Sequence, residues 1–313
     1  MRLGAVMSVY RSALVRRQLE SMVDQTVPLD EIVIVDDSGS PEWTDDIKAG
    51  LKGFGGDVEL VSNPTNLGMR RSYELAFSRS RADIVLVADH DDEWWPEKVE
   101  IVSGFMDDDA VTGCFHNMDV YESVGHRVSD GTYLGRFFDV YPGRAEPDLS
   151  FAALLEMPVA SGACLAMRRS VIPPSMHIPD TVFPDYFLQL LVARAGEIRK
   201  LDQPLANYRR HSNNSTPLPT RWHRLQHRTP DPGPLVKELL GYSDDADRAL
   251  HAFQERKALR RAVEQGRALA WFRTSIAQVG LESTAKELAR TYRRPSRFVL
   301  DKARHAHALV RRS

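Results

Sequence analysis

Four short apolar runs, repeated at a nearly constant distance, constrain the fold of this chain more than any other feature. They start 28, 27 and 25 residues apart and are rich in Val and Ile, which favours buried strands. Strand, helix and strand at this period are typical of right-handed crossovers between parallel strands, so the pattern predicts an open α/β sheet. The runs are Leu3–Tyr10, Glu31–Asp37, Val58–Asn63 and Asp83–Asp89.

Helices are predicted between these strands. Ser12–Asp24 and Arg71–Arg79 carry apolar residues at helical spacing, and Pro41 and Pro96 suit the first turn of a helix. The glycine cluster Gly53-Phe54-Gly55-Gly56 follows a helix and precedes a strand, the reverse of the dinucleotide-binding order. It therefore predicts a helix end and a turn.

After Asp109 the pattern changes. Ala110–Tyr121 and Ala163–Met167 are predicted to be further strands, and Pro184–Ala195 a helix. We predict a loop or hairpin over Val124–Pro147. Five prolines from position 217 to 234 indicate a linker, and the rest of the chain is helical in character. The expected organisation is a sheet domain over residues 1–216 and a helical C-terminal region over 217–313.

Charge and composition exclude several classes of protein. With 42% hydrophobic residues the chain has material for a core, which excludes disorder. Residues 1–219 hold 21 Lys and Arg against 33 Asp and Glu, which does not suit a protein that wraps nucleic acid. Two cysteines are too few for a disulfide framework, and we find neither an export signal nor a membrane-spanning run. We expect a cytoplasmic protein.

Polar clusters follow all four predicted strands, where the carboxyl ends of parallel strands bind ligands in open sheets. Since no glycine-rich phosphate loop is present, a phosphate-bearing ligand requires a metal ion and cationic side chains. The clusters are Ser8–Arg11, Asp36–Ser40, Asn63–Gly68 and Asp89–Asp92.

Asp89 and Asp91 supply the metal-binding hypothesis. Their hard oxygens suit Mn²⁺ or Mg²⁺, which bind through a few carboxylates together with substrate phosphates. The alternative is that these acids cap the helix near Pro96, whose dipole favours negative charge. Capping accounts for Asp92 or Glu93, whereas three carboxylates that begin at the strand end repel one another without a cation.

Five segments in order resemble family 2 glycosyltransferases of the GT-A fold. The acidic segment Asp89–Lys98 is similar to the Asp-x-Asp segment of the rhamnosyltransferase branch. The resemblance covers residues 1 to about 216 and implies a Rossmann-like, mainly parallel open sheet with flanking helices. The helical C-terminal region, predicted from the sequence pattern, lies outside the resemblance. The other segments are Val35–Ser40, Asn66–Gly68, Asp185–Leu188 and Tyr208–Asn214.

The resemblance also implies roles for matching residues. Asp185 would be the general base, although its position at a helix start also suits a cap. Asp89 and Asp91 would bind the metal, with Asp89 also close to the ribose. The remaining nucleotide-sugar contacts would come from Tyr10 and Asp37 at the base, Arg71 (in preference to Arg70) at the base or phosphate, and His211 at the diphosphate or the metal.

The activity implied is inverting, metal-dependent transfer of a sugar from a nucleoside-diphosphate donor to a glycan, lipid-linked saccharide or small-molecule hydroxyl. Branch resemblance indicates dTDP-L-rhamnose, with a UDP-hexose as the alternative. Two other classes stay open: a non-catalytic sugar-nucleotide or glycan-binding module, and a nucleotidyltransferase. A nucleotidyltransferase is expected to carry a glycine- and lysine-rich N-terminal loop, which Ser8–Ser12 is not.

The C-terminal segment Lys286–Ser313 holds nine Lys and Arg against two acidic residues, with apolar residues between them. A basic amphipathic segment of this kind can lie on an anionic membrane. The alternative is a helix that packs its apolar side on the acidic catalytic domain. Pro295 interrupts the apolar stripe, which favours the packed helix.

Overall fold

The computed structural model describes residues 1–122, 127–132, 149–156, 159–180 and 182–211, together with scattered helical positions between 235 and 254. The chain divides into two compact units. One comprises Met1–Arg136 with Pro158–Leu218, and the other Phe137–Met157 with Pro219–Ser313. The first unit holds every strand of the described residues and is built on one sheet.

This sheet has nine strands in the order β3-β2-β1-β4-β8-β6-β9-β5, with β7 paired to β6. β1 to β4 fall where the four apolar runs predict strands. The strands are β1 (Leu3–Val9), β2 (Glu31–Asp36), β3 (Asp57–Ser62), β4 (Ile84–Asp89), β5 (Glu93–Trp94), β6 (Val111–Glu122), β7 (Arg127–Thr132), β8 (Leu165–Arg168) and β9 (Glu197–Arg210).

The four N-terminal strands form the parallel half of the sheet. β1 lies in the centre and pairs in parallel with β2 on one side and β4 on the other. All six residues of β2 are buried, as expected for a parallel strand that is covered on both faces. β3, predicted to be buried, is instead the outer strand of the sheet among the described residues, and its Val58 is 44% exposed.

The other half of the sheet is mixed. β8 pairs antiparallel with both β4 and β6, whereas β6 and β9 run parallel to each other. The sheet is therefore parallel throughout β1 to β4 and again between β6 and β9, so the predicted mainly parallel sheet is a mixed one. β5 and β9 are strands that the sequence did not predict, and β7 falls within the predicted loop or hairpin.

Helices flank the sheet in the first unit. α1 and α3 bury one apolar stripe each, including Leu19 of α1 and Phe77 of α3. A 3-10 turn at Pro41–Trp43 precedes α2, which ends before Gly53 adopts a positive φ of 87°, as the glycine cluster predicts. The helices of the two units together are α1 (Val15–Val23), α2 (Thr44–Gly50), α3 (Met69–Arg79), α4 (Lys98–Phe105), α5 (Phe151–Glu156) and α6 (Pro184–Ala195).

The second unit contributes α5 and the scattered helical positions between 235 and 254. The predicted linker at 217–234 and the basic segment Lys286–Ser313 lie outside the described residues. Within the described part of the chain, no helix combines the length and the apolar character that crossing a bilayer requires.

Candidate active site

The strand register brings two of the polar clusters to one edge of the sheet. Ser8 of β1 lies opposite Asp89 of β4, and Val9 lies opposite Asp36 of β2. Asp37 directly follows β2, and its backbone N–H donates to the Val9 carbonyl at 2.8 Å. The carboxyl ends of the three strands therefore present Asp37 and Asp89 on the same rim, as the strand period predicts.

Asp37 is a fully organised carboxylate. Its side chain is only 2% exposed, and it accepts three hydrogen bonds of 2.8 Å, from the Asn63 side-chain amide and from the backbone N–H groups of Leu67 and Gly68. These bonds fix the loop after β3, where Gly68 adopts a positive φ of 85°. Since a carboxylate has about four acceptor sites, one remains for the predicted contact with a nucleotide base.

The acidic segment at the end of β4 is organised much less completely. Asp89 accepts one hydrogen bond from the Tyr73 hydroxyl at 3.0 Å. Burial and the charge of Asp91 raise the pKa of Asp89 to about 7, although the Tyr73 bond opposes this shift. The Asp91 carboxylate lies 2.8 Å from His211 Nε2, so the structure brings the predicted diphosphate or metal contact to the acidic segment.

Asp92 adds a third, deeply buried carboxylate. One oxygen accepts from the Arg209 backbone N–H at 3.4 Å, and the other oxygen has no hydrogen-bond partner within the described part of the chain. Burial and the charges of Asp91 and Asp89 raise the pKa of Asp92 well above its ordinary value. Three mutually repelling carboxylates are thus held in a short segment of chain, which costs free energy unless a cation binds there.

β9 holds the acidic segment in place. β5 pairs antiparallel with β9, with Glu93 opposite Asn207 and Trp94 opposite Ala206. The Arg209 guanidinium also forms an ion pair with Glu93. This pairing carries His211, the residue after the last residue of β9, to the end of β4.

The acids do not cap the following helix. α4 begins at Lys98, and its N-cap residue Glu97 makes no side-chain capping hydrogen bond. The N–H of Val99 in the first turn donates instead to the Gln25 side-chain oxygen at 3.0 Å. Pro96 accordingly precedes the helix instead of lying in its first turn. Trp94 is buried.

Asp185 lies in the first turn of α6, but Phe183 is the N-cap residue. The Asp185 carboxylate accepts a hydrogen bond from the Tyr186 backbone N–H at 2.8 Å. Burial raises the pKa of Asp185 to about 6, while hydrogen bonds from the backbone N–H groups of Tyr186, Asp185 and Gly162 oppose that shift. The charge of Asp185 in turn raises the pKa of Asp89.

Two predicted contacts are not brought to the acidic segment. Arg71 forms an ion pair with Glu74 at 2.7 Å, and its Nη1 lies 2.7 Å from His177 Nδ1. Tyr10 is 44% exposed on the rim after β1, and the Arg11 guanidinium lies 5.2 Å from the centre of its ring. Their contacts with a nucleotide stay predictions.

Carboxylates at the end of β4 fit a divalent cation that is completed by substrate. Among the described residues, no group of three or more His, Cys, Asp or Glu side chains is arranged to hold a metal ion alone. Mn²⁺ and Mg²⁺ are commonly bound through one or two carboxylates plus substrate phosphates. Asp89 and Asp91 offer two such carboxylates, and the unpartnered oxygen of Asp92 marks this segment as one where negative charge is in excess.

Several residues of the site were not predicted from the sequence. Tyr73 follows the ordinary apolar spacing of α3, and Gln189 carries no motif of its own. Arg209 lies in the segment Tyr208–Asn214, but no role was predicted for it. Lys98 is part of the acidic motif, yet its 1% exposure is unexpected for a lysine. Cys164 is a buried core residue, and burial raises the pKa of its thiol.

Comparison with known proteins agrees with this arrangement. Residues 5–173 match the model of a family described as glycosyl transferase family 2. An uncharacterized glycosyltransferase from Nostoc sp. is 28% identical to the chain over 225 residues, which cover 69% of this chain and 66% of that protein. The chain therefore spans slightly less than two thirds of the length of this relative.

Two solved structures are similar in fold. S. aureus TarS 1-349 in complex with UDP-GlcNAc superposes with a TM-score of 0.55 at 15% identity, covering 100% of this chain and 92% of that one. The mannosyltransferase PcManGT from Pyrobaculum calidifontis, in complex with GDP-Man and Mn²⁺, gives 0.50 at 16% identity, covering 99% and 85%. The predicted GT-A-like architecture, a sheet with flanking helices, is confirmed.

Proposed function

The chain belongs to glycosyl transferase family 2, and from this premise we propose that it transfers a sugar from a nucleoside-diphosphate donor to an acceptor hydroxyl, with inversion at the anomeric carbon. The observation that carries the proposal is the position of Asp89 at the carboxyl end of β4, with Asp91 two residues later and Asp185 on the other side of Gly162 from Val87 of the same strand. The first two carry the excess negative charge of a cation site, and the third is a partly buried carboxylate suited to a base.

The acceptor hydroxyl is activated by Asp185. Its carboxylate takes the hydroxyl proton as the acceptor oxygen attacks the anomeric carbon, and the bond from that carbon to the donor diphosphate breaks on the opposite face. With a pKa of about 6, Asp185 is mostly ionised at neutral pH and is still basic enough to accept a proton. Burial thus tunes this residue for its proposed role.

Asp89 and Asp91 would hold a divalent cation, Mn²⁺ or Mg²⁺. When bound, the cation supplies Lewis-acid stabilisation of the negative charge on the leaving diphosphate. His211 orients the Asp91 carboxylate from a distance of 2.8 Å, and Tyr73 orients Asp89. The Mn²⁺ in the complex of the similar mannosyltransferase supports a divalent cation.

dTDP-L-rhamnose is our first choice of donor, on the resemblance of Asp89–Lys98 to the rhamnosyltransferase branch. A UDP-hexose is the alternative, and it draws support from the UDP-GlcNAc complex of TarS. Asp37 would hold the base through its remaining acceptor site, with Tyr10 and Arg71 as further contacts. The acceptor we propose is a glycan or a lipid-linked saccharide.

The test is a panel of dTDP-, UDP- and GDP-sugars with candidate acceptors, in Mn²⁺, in Mg²⁺ and in EDTA, with release of nucleoside diphosphate as the readout. One donor should turn over, and chelation should stop it. Melting temperature is recorded in parallel, because a ligand that binds only the native state raises it. Metal-dependent thermal shifts without turnover of any donor would favour the non-catalytic binding module.

A further inference from the structure

A short loop over residues 159–164 lies between β4, which ends at Asp89, and Asp185 of α6. Its centre is the 3-10 turn Gly162–Cys164, in which Gly162 lies beside the Asp185 side chain. A Cβ placed on Gly162 would meet Asp185 Cβ at 3.6 Å and Val87 of β4 at 3.7 Å. The turn therefore packs between β4 and Asp185.

The loop is fixed at its first end by α6. Gln189, which is 0% exposed, accepts from the backbone N–H groups of Val159 and Ala160 through its side-chain oxygen, at 2.9 and 3.2 Å. Its amide nitrogen donates to the Ala160 and Asp185 carbonyl oxygens, each at 2.9 Å. Gln189 thus ties this end of the loop to the helix that carries Asp185.

The other end of the loop is fixed by Lys98. Its ammonium group donates to the Ala163 carbonyl oxygen at 3.1 Å and lies 3.9 Å from the centre of the Trp94 ring. Lys98 is the first residue of α4 and follows the acidic segment in the chain. The bond therefore joins the helix after Asp89–Asp92 to the turn beside Asp185.

This placement of a lysine is costly. The side chain is buried beside Trp94, and burial lowers the pKa of Lys98 to about 7. The carboxylates of Asp92 and Asp89 lie close enough to oppose that shift. An apolar side chain of similar length would avoid the cost of desolvation, so stability alone does not account for a lysine here.

We propose that Lys98 is a positioning residue, which holds the 162–164 turn so that the Gly162 N–H stays directed at the Asp185 carboxylate. The proposal rests on the proposed function for its effect on turnover. What the proposal says about the structure does not depend on activity, because it concerns the position of the 162–164 turn beside Asp185.

The experiment compares Lys98→Met with Lys98→Gln. Both remove the charge, but only glutamine retains an N–H donor for the Ala163 carbonyl. In Lys98→Met the turn is released, and we expect kcat to fall by about 10- to 100-fold, the scale of a small misplacement in an active site. The donor KM should stay unchanged, and Lys98→Gln should recover a large part of the lost kcat.

Stability separates positioning from a structural role. Lys98→Met removes a buried ammonium group, so we expect its melting temperature to equal or exceed that of the wild type. A lower melting temperature with a proportionate loss of donor binding would mean that Lys98 supports the fold and would overturn the proposal. Lys52→Met, at an exposed lysine after α2, is the matched control and should leave kcat and melting temperature unchanged.

An NMR titration of ¹³C-labelled aspartates, with the Asp185 signal assigned by its loss in Asp185→Asn, provides a readout without turnover. The Gly162 N–H lowers the pKa of Asp185, so its loss in Lys98→Met should raise that pKa above the wild-type value of about 6. Lys98→Gln should titrate like the wild type. If the two variants gave the same Asp185 pKa, or the same kcat, the Lys98 charge rather than its hydrogen bond would matter, and the proposal would be wrong. If no donor turns over in the wild type, the proposed function fails while this titration still tests the position of the turn.

Discussion

The ends of β2 and β4 lie on either side of β1, and the carboxylates at these two ends differ in how many hydrogen bonds they accept. Asp37, after β2, accepts three hydrogen bonds from protein N–H groups. Asp89, at the end of β4, accepts one from Tyr73, and among the described residues one buried oxygen of Asp92 has no partner. The Asp37 carboxylate is satisfied by the fold itself, whereas the acidic segment retains negative charge that Lys98 offsets only in part.

This difference distinguishes Asp37, which fixes a loop, from Asp89 and Asp92, whose charge a bound cation would neutralise. Hydrogen bonds from N–H groups satisfy the Asp37 carboxylate, and the loop after β3 is fixed by them. Burial and mutual repulsion destabilise the ionised form of Asp89 and Asp92. A divalent cation between Asp89 and Asp91 would reverse that cost, so mutations at the two strand ends should have opposite effects on stability and activity.

The largest effect is expected at Asp91. Asp91→Asn removes one of the two proposed metal ligands, so metal-dependent transfer should be abolished. The fold should remain intact, because the residue lies on the rim of the sheet. Calorimetric titration of Mn²⁺ with a nucleoside diphosphate should show the loss of metal-dependent binding.

Asp45→Asn, at an exposed acid in the first turn of α2, serves as the control and should bind as the wild type does. Unchanged metal-dependent affinity in Asp91→Asn would remove Asp91 from the proposed cation site. The contrast with Asp37 would then rest on charge repulsion alone.

The next effect is expected at Asp185, which faces the same site from α6. Asp185→Asn should retain donor and metal binding but lower turnover by about 10²-fold or more, the contribution of a general base. Donor affinity by calorimetry and turnover by nucleoside-diphosphate release are measured on the same preparation. Turnover close to the wild-type rate would show that Asp185 only accepts hydrogen bonds from backbone N–H groups at the start of α6.

A smaller effect, on stability, tests the comparison directly. Asp37→Asn places an amide group toward the N–H of Leu67 or Gly68 and should lower the free energy of unfolding by about 1–3 kcal/mol, the cost of leaving a buried partner unsatisfied. Asp92→Asn should instead raise the melting temperature in metal-free buffer, since it removes a buried and repelled carboxylate. Urea unfolding and melting curves of both variants decide this, and a shift of the same sign in both would refute the contrast.

The strand period predicted the parallel half of the sheet, because each strand there is a local apolar run and the next such run along the chain starts within thirty residues or so. β9 escaped prediction since its buried and exposed residues do not alternate regularly and Pro204 interrupts it. Its pairing with β6 joins residues far apart in the chain, and no local pattern records that contact. The two-residue strand β5 exists only because β9 is present to pair with it.

The carboxylates of the site were predictable for a similar reason, since a strand end fixes where its acids lie. The contacts that hold these carboxylates in place could not be predicted from the sequence. Lys98 contacts the carbonyl of Ala163, and Gln189 reaches back to Val159, both across sequence distances that carry no periodic signal. Arg71 was preferred over Arg70 by its spacing from Asn66, yet it pairs with Glu74 one helical turn later.

The smallest effect concerns pH, and it follows from the pKa of Asp185. The base acts only when ionised, and burial raises its pKa to about 6, so kcat should fall by about tenfold for each pH unit below 6. The profile is recorded at saturating Mn²⁺, because a bound cation favours the ionised form of Asp89. This loss is not unfolding caused by Asp185. Its pKa is raised in the folded state, so its contribution to stability is fully present below the unfolded pKa near 3.8 and is lost as pH rises through about 6. Melting temperatures across the same pH range check that the enzyme stays folded, and a descending limb near pH 4 in a folded protein would contradict the assignment of the limb to an Asp185 carboxylate whose pKa burial raises.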